Sequence, residues 1–258
     1  MGSRRIVGLV IGALFCGFTL FGASGAAGGE IKVLGGSAVI PPMNTLIPAY
    51  QRETGDRVVA DFDGAIGAMA KRVEAGERAD VLIVSRPQVD ALEKAGRILP
   101  GSSADIGKVG VGAFVRKGAA KPDIGSVEAF KRTMLAVKSI GFNDPAAGAP
   151  VSIYLLGLFE RLGISRQMEP KTVAFKRRQD RFEPVARGEV ELGFNQISEI
   201  IAVPNVDLVG PLPAEIQNYT LFAAAVLASS GSADAAKRFV AFISSPRARD
   251  VMRAGGFE

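Results

Sequence analysis

Small and polar residues stand where the sequence changes from strand-like to helix-like patterns. They are Gly36, Ser37, Gly64, Ala65, Val151, Ser152, Arg178 and Gln196. A helix N-terminus presents unpaired N–H groups and a partial positive charge, so it binds small anions without a cationic side chain. Hydroxyl, amide and guanidinium donors at the same points add directed hydrogen bonds. We therefore predict that these residues bind a small anionic ligand.

The composition excludes several kinds of catalytic chemistry. The 258 residues include no histidine and a single cysteine, Cys16. A Ser-His-Asp or Cys-His nucleophile, a histidine-ligated zinc, a cysteine metal cluster and an intramolecular disulfide are therefore impossible. Neither a GxGxxG nor a P-loop pattern occurs in the sequence. We expect the site to contain no metal and no cofactor.

The first 26 residues have the pattern of a secretory signal peptide. Arg4 and Arg5 precede a mainly apolar run over residues 6–21, and small residues follow up to Ala26. At about 16 residues the run is shorter than the ~20 that a membrane-spanning helix needs. Cleavage near Ala26 would remove Cys16 and send the mature protein to the periplasm. The net charge would fall from +5 to +3, and because the excess is spread along the chain we expect no nucleic-acid partner.

Apolar periodicity predicts strands alternating with helices along the rest of the chain. The first strands are expected at 31–34, 58–62 and 81–84, each followed by a helical pattern. A second unit begins near 109–115, and its best helical pattern starts at Val151. This order predicts parallel strands joined by right-handed crossovers, as in open α/β sheets. Ligands of such sheets bind beyond the carboxyl ends of the strands, which is where the small and polar residues fall.

Five segments resemble one protein family over about 230 residues. They are residues 31–39, residues 73–83, Asp144-Pro145 ahead of Ile153-Tyr154, residues 187–193, and residues 242–246. In type and order these segments resemble the periplasmic molybdate-binding proteins of ABC transporters. The resemblance implies the two-lobed type II periplasmic binding protein fold, in which each α/β lobe is an open, mostly parallel sheet flanked by helices. The ligand cleft would lie between the lobes, which close by a hinge motion.

The resemblance also implies domain boundaries. The first part of lobe I would cover 27–110, lobe II would cover 111–218, and lobe I would return over 219–258. The crossing segments would lie near 106–115 and 211–222. The protein would be a monomer that delivers its ligand to an inner-membrane ABC permease.

The family's binding positions carry over only in part. Its first-loop serine corresponds to Ser37, and its backbone donor before the long helix corresponds to Val151. Its second-loop serine falls at Asp63-Gly64-Ala65, which has no hydroxyl, and its tyrosine corresponds to Gln196. The next helix start places an arginine, Arg178, near another backbone donor. Arginine and glutamine are better suited to a planar carboxylate than to molybdate.

Further segments resemble a branch of the family that includes periplasmic aconitate isomerase. They include residues 121–124, 196–199 and 206–213. Three functions remain as alternatives. They are a transport receptor, an isomerase that performs a 1,3-proton shift, and a ligand sensor that docks to a membrane receptor. Without histidine, the base of an isomerase must be a carboxylate, lysine or tyrosine. The candidates are Asp63, Asp144, Lys176 and Glu199, among which the sequence does not choose.

Overall fold

The computed structural model describes residues 1–2, 29–175 and 180–258. Residues 3–28 of the predicted signal-peptide region lie outside the described residues, as do Lys176 and Arg178. The strands are β1 (Glu30–Gly35), β2 (Arg57–Asp61), β3 (Val81–Ser85), β4 (Ala104–Arg116), β5 (Ile140–Asn143), β6 (Thr172–Phe175), β7 (Leu192–Gln196), β8 (Val206–Pro211) and β9 (Tyr219–Val226). The α-helices are α1 (Ile40–Thr54), α2 (Ile66–Glu74), α3 (Arg86–Lys94), α4 (Val127–Ala136), α5 (Pro150–Arg161), α6 (Ser165–Met168), α7 (Glu183–Ala186), α8 (Ile197–Ile201), α9 (Ala233–Ile243) and α10 (Arg249–Ala254). Short 3-10 helices include Ser37–Val39 and Pro145–Ala147.

Two sheets form the framework, and each combines parallel strands with antiparallel ones. In the first sheet, β1 pairs in parallel with β2 and β3, while β9 lies antiparallel to β3. In the second sheet, β5 pairs in parallel with β6 and β7, while β4 lies antiparallel to β7 and β8. The predicted alternation of strands and helices and the two-lobed α/β fold are confirmed, but each sheet has as many antiparallel pairings as parallel ones, because β4 and β9 run against their neighbours. We call the first sheet with its helices lobe I and the second lobe II.

Strand β4 belongs to both sheets. Its first half, through Gly110, pairs with β9 of lobe I. From Val111 onward it pairs with β7 and β8 of lobe II. β8 and β9 follow one another in the chain, so the return connection also crosses between the lobes at this point. The two lobes are therefore joined at one place, where β4 passes from one sheet to the other.

Each lobe has its own hydrophobic core. One cluster in lobe I packs α1, α2, α3 and α9 against both faces of the first sheet. In lobe II, the alternation of side chains along β4 supplies two clusters, because Val111, Ala113 and Val115 point to one face while Phe114 points to the other. Among the described residues, no helix has both the length and the apolar character required to cross a bilayer.

A buried carboxylate forms hydrogen bonds that hold together three segments at the edge of lobe I. Asp56 is 3% exposed, and it accepts hydrogen bonds from the Tyr50 hydroxyl (2.7 Å), the Gly29 N–H (2.9 Å) and Arg238 Nη2 (2.9 Å). Burial alone would raise the pKa of Asp56, but these hydrogen bonds outweigh it and hold that pKa below its usual range. Burial, together with the bond to Asp56, raises the pKa of Tyr50 to about 12. The carboxylate thus links the start of β1 to α1 and α9.

We expect Asp56→Asn to lower the free energy of unfolding by about 1–3 kcal/mol at pH 7, because charged hydrogen bonds to a buried acceptor are lost. A carboxyl whose pKa is lower in the folded state stabilises the fold above its unfolded pKa of about 3.9, and this contribution is lost as pH falls through the folded value. The difference from wild type should therefore shrink below about pH 4. Urea unfolding at pH 7, 5 and 3 measures it, with exposed Asp250→Asn as the control. A difference that stays constant to pH 3 would contradict this assignment.

Candidate functional site

The cleft between the lobes lies where strands end and helices begin. Its lining includes Ser37, Ala38, Gly64, Ala65 and Ile66 from lobe I, and Asn143, Ala149, Pro150, Val151, Arg181, Asn195, Gln196 and Glu199 from lobe II. Its closed form leaves about 20 Å³ of free space, which is room for about one water molecule. This is the edge of an open α/β sheet at which ligands bind. A larger ligand therefore needs the lobes to move apart.

Helix N-termini supply backbone donors on both sides of the cleft. α2 begins immediately after Ala65 in lobe I, and α5 begins at Pro150 in lobe II. Proline has no N–H, so the first donors of α5 are those of Val151 and Ser152, which have no acceptor within the helix. The two helix starts give the cleft a partial positive charge from either side.

Arg181 joins the two lobes across the cleft. Its Nη1 donates to Ser37 Oγ of lobe I at 2.7 Å and to Glu199 Oε1 of lobe II at 3.0 Å. The side chains of Arg181 and Glu199 are 14% and 9% exposed, so this ion pair is largely withdrawn from water. They are the charged residues among the described lining residues, and they balance each other.

Gln196 brings into the cleft wall a polar group that has no hydrogen-bond partner among the described residues. The residue ends β7 and is 6% exposed, and its side-chain Nε2 is buried. Within the described part of the chain, this nitrogen makes no hydrogen bond. A buried donor without an acceptor costs about 1–3 kcal/mol, so it is unusual in a folded protein unless a ligand satisfies it.

The lobes touch beside the cleft through two glycines. A Cβ atom on Gly67, in the first turn of α2, would lie 3.2 Å from the carbonyl oxygen and 3.4 Å from the Cα of Gly148. Gly148 itself has φ +73°, in the left-handed region that glycine tolerates. Side chains at these two positions would keep the backbones of α2 and of the loop before α5 further apart. Together with the bond between Arg181 and Ser37, this contact describes a closed cleft.

The structure brings five of the eight predicted ligand-binding residues to the cleft: Ser37, Gly64, Ala65, Val151 and Gln196. Gly36 is not among the lining residues, and packing accounts for this glycine, because a side chain there would collide with Ile66 Cγ2. The Ser152 hydroxyl is fully buried and donates to the Ala149 carbonyl, which leaves only the backbone N–H of Ser152 for a ligand. Arg178 lies outside the described residues.

Of the four predicted bases, Glu199 lines the cleft. Asp63 is exposed and does not line the cleft. Asp144 accepts a hydrogen bond from the Ala146 N–H at 2.9 Å and so caps the 3-10 helix Pro145–Ala147. Lys176 lies outside the described residues.

Sequence reasoning missed Arg181, Asn143 and Asn195. Arg181 ends a run of basic residues that starts at Lys176, and the run itself was the available signal. Asn195 lies within β7, next to its last residue Gln196. Asn195 Oδ1 accepts the Gln196 N–H at 2.9 Å inside the cleft wall.

Across the described ranges, no three acidic or cysteine side chains cluster as metal ligands would.

Comparison with known proteins decides the family. Residues 31–258 match the family model described as bacterial extracellular solute-binding protein. The chain belongs to this family. It is 31% identical to an aconitate isomerase from a Pseudomonas species, over 98% of this chain and 97% of that protein. It is 23% identical to the molybdate-binding protein ModA of Azotobacter vinelandii, over 99% and 97% of the two chains.

The solved structures agree on the architecture of this solute-binding protein. The periplasmic molybdate-binding protein of Azotobacter vinelandii superposes with a TM-score of 0.74 at 19% identity, over 89% of this chain and 99% of that one. At this identity the match establishes the fold. The type II periplasmic binding protein fold, predicted by resemblance, is confirmed, and so is the molybdate-binding-like family that includes an aconitate isomerase.

We expect Arg181→Gln to destabilise the protein by about 3 kcal/mol, because it leaves the buried Glu199 carboxylate without the cation beside it. The double variant Arg181→Gln/Glu199→Gln should recover most of this loss, since it removes both charges. Urea unfolding of the four proteins of this cycle measures the coupling. Arg166→Gln, on the exposed surface of α6, is the matched control and should unfold like wild type. Losses that simply add in the double variant would contradict the ion pair.

Proposed function

We propose that this protein binds a small organic polycarboxylate in the interlobe cleft. The observation that carries the proposal is the Arg181–Glu199 pair on the cleft wall, with Ser37 bound to the same guanidinium. A planar guanidinium binds a planar carboxylate through two parallel hydrogen bonds. The donors of α5 and α2 are then available for a second carboxylate of the same ligand.

The acceptor in this cleft argues against a tetrahedral oxyanion. Ionised Glu199 can only accept hydrogen bonds. A molybdate or sulfate dianion also presents only acceptors, so its oxygens would meet the carboxylate with like charge and no shared proton. An organic acid combines carboxylates with C–H or O–H groups, and one of these can face Glu199 while a carboxylate faces Arg181.

Gln196 adds a donor where the ligand needs one. Its buried Nε2 has no protein acceptor within the described residues and belongs to the cleft wall. A ligand carboxylate oxygen at this position would satisfy it. Each such bond made inside the closed cleft would also favour closure, because both lobes contribute donors.

We further propose a periplasmic receptor that passes its ligand to an inner-membrane permease. Support comes from the family, described as extracellular solute-binding proteins, and from relatives named as periplasmic. The basic and apolar pattern of residues 1–26 is the export signal in this proposal. We place the lobe boundaries at 110/111 and 218/219, supported by the change of β4 from β9 to β7 and β8 as its partners.

We expect trans-aconitate, cis-aconitate, citrate and tricarballylate to raise the melting temperature, whereas molybdate, tungstate and sulfate do not. A ligand that binds only the folded state adds about 2.7 kcal/mol of stability at a hundred times its Kd. Arg181→Lys should weaken tricarboxylate binding at least tenfold, because it replaces the bidentate guanidinium with a point charge. Thermal shift followed by titration calorimetry measures both effects.

Arg166→Lys, on the surface of α6, is the matched control for this substitution and should bind like wild type. Binding of molybdate without binding of any tricarboxylate would overturn the proposed ligand class. Equal affinity of wild type and Arg181→Lys would overturn the role of the guanidinium.

A second candidate function is the interconversion of cis- and trans-aconitate. Two observations favour it: the 31% identity to an aconitate isomerase along almost the whole of both chains, and a carboxylate on the wall of the cleft. A proton shift needs anion anchors and a base within reach of the same ligand. Arg181 and Glu199 have these two chemistries and are in direct contact.

Purified protein incubated with trans-aconitate should form cis-aconitate, and the reverse reaction should approach the same mixture from the other side. Chromatographic separation of the two isomers over time measures this. A preparation of Arg181→Lys made in parallel should turn over more slowly and controls for contaminating enzyme. Binding of trans-aconitate without turnover would exclude the isomerase and leave the receptor.

A further inference from the structure

Glu199 has an unusual position for an acidic residue of an anion-binding cleft. It lies in the first turn of α8, its side chain is 9% exposed, and its Oε1 is 3.0 Å from Arg181 Nη1. The same nitrogen is 2.7 Å from Ser37 Oγ. A ligand carboxylate that takes Nη1 of this guanidinium competes with a carboxylate of the protein for that donor.

This competition determines what happens to Glu199 when a ligand arrives. Transfer of Arg181 to the ligand leaves the Glu199 carboxylate buried, beside a second negative charge and without its cation. Burial and a neighbouring like charge both favour the protonated form of a carboxyl group. Ligand binding itself therefore makes Glu199 a stronger proton acceptor, at the place where the ligand lies.

We propose that Glu199 is the catalytic acid–base residue of a 1,3-proton shift, and that the substrate activates it by replacing it on Arg181. This inference rests on the second candidate function, the isomerisation of aconitate. Among the predicted bases, the described residues Asp63 and Asp144 lie off the cleft wall, whereas Glu199 belongs to it. Arg181 acts as the anchor that holds the substrate carboxylate.

The proton shift balances with one base. A Glu199 carboxylate oxygen takes a proton from the substrate CH2 group, and the electrons of that C–H bond form the new C=C bond. The electrons of the former C=C bond pass to its far carbon, which takes the proton back from Glu199. One C–H bond is broken and one is formed, the double bond moves by one position, and Glu199 ends as it began. Neither an oxidant nor a co-reactant is consumed.

The position of α8 makes this arrangement dependent on closure. Ile197 packs against the core of lobe I, whereas Ile200 belongs to the core of lobe II. A Cβ atom on Gly256 of lobe I would lie 2.8 Å from the Cα of Ser198, so the backbones of the two lobes also meet here. α8 thus contacts both lobes beside Glu199. Closure brings Ser37 of lobe I to Arg181 and so completes the group of three side chains.

Glu199→Gln should lower kcat for aconitate isomerisation at least about 100-fold, the scale of a lost general base. Binding of trans-aconitate, measured by thermal shift and calorimetry, should persist or tighten, because a negative charge leaves the cleft. Glu199→Asp keeps the charge and displaces it by about one bond, so it should bind normally and turn over ten- to a hundredfold more slowly.

Glu160→Gln, on the exposed surface of α5, is the matched control and should keep wild-type turnover. Wild-type kcat in Glu199→Gln or in Glu199→Asp would overturn the role of Glu199 and leave the isomerase standing. Loss of trans-aconitate binding in both variants would make Glu199 a binding residue, which also overturns it. Binding without turnover in the wild type would remove the isomerase together with this inference, whereas absence of binding would remove the proposed ligand class.

Discussion

The sharing of strand β4 between the two sheets is the constraint on which this molecule depends. Because one half of the strand pairs with β9 and the other half with β7 and β8, the lobes cannot separate without breaking a sheet. In our proposal they pivot where the strand changes partners, between Gly110 and Val111, so that the cleft opens and closes while both cores stay packed. This connection sets the position of the cleft residues of lobe I, such as Ser37, relative to those of lobe II, such as Glu199.

Charge balance inside the cleft follows from closure. A lone guanidinium buried between two lobes would be costly, and the Glu199 carboxylate offsets it at 3.0 Å. The same carboxylate opposes any anion that approaches Arg181, so selectivity here includes an element of repulsion as well as attraction. In our proposal, a ligand overcomes this by binding Arg181 with two oxygens, by satisfying Gln196 Nε2 and by presenting a group to Glu199 that a simple oxyanion lacks.

Much of the scaffold is predictable from the sequence, because it depends on local patterns. Strand ends and helix starts follow from apolar periodicity, and they are enough to direct attention to Ser37, Val151 and Gln196. The early part of β4 is not predictable in this way: a register shift near Gly107, with φ +132°, interrupts the alternation of apolar residues before 109. Arg181 is not predictable either, since residues 176–181 include four basic residues and the sequence does not indicate that Arg181 contacts Ser37.

Ligand binding and catalysis require the same features of this fold, except for the proton transfer itself. Both require closure, donors from two lobes and exclusion of water. Exclusion of water strengthens the hydrogen bonds that hold the anion. It also strengthens the base that takes a proton from the carbon beside the bound carboxylate. Relatives named as molybdate-binding and as aconitate isomerase span nearly the whole of this chain, so proteins of both names share one architecture. In our proposal Glu199 also acts as the base, and a substrate carboxylate that displaces it from Arg181 couples recognition of the substrate to the appearance of that base.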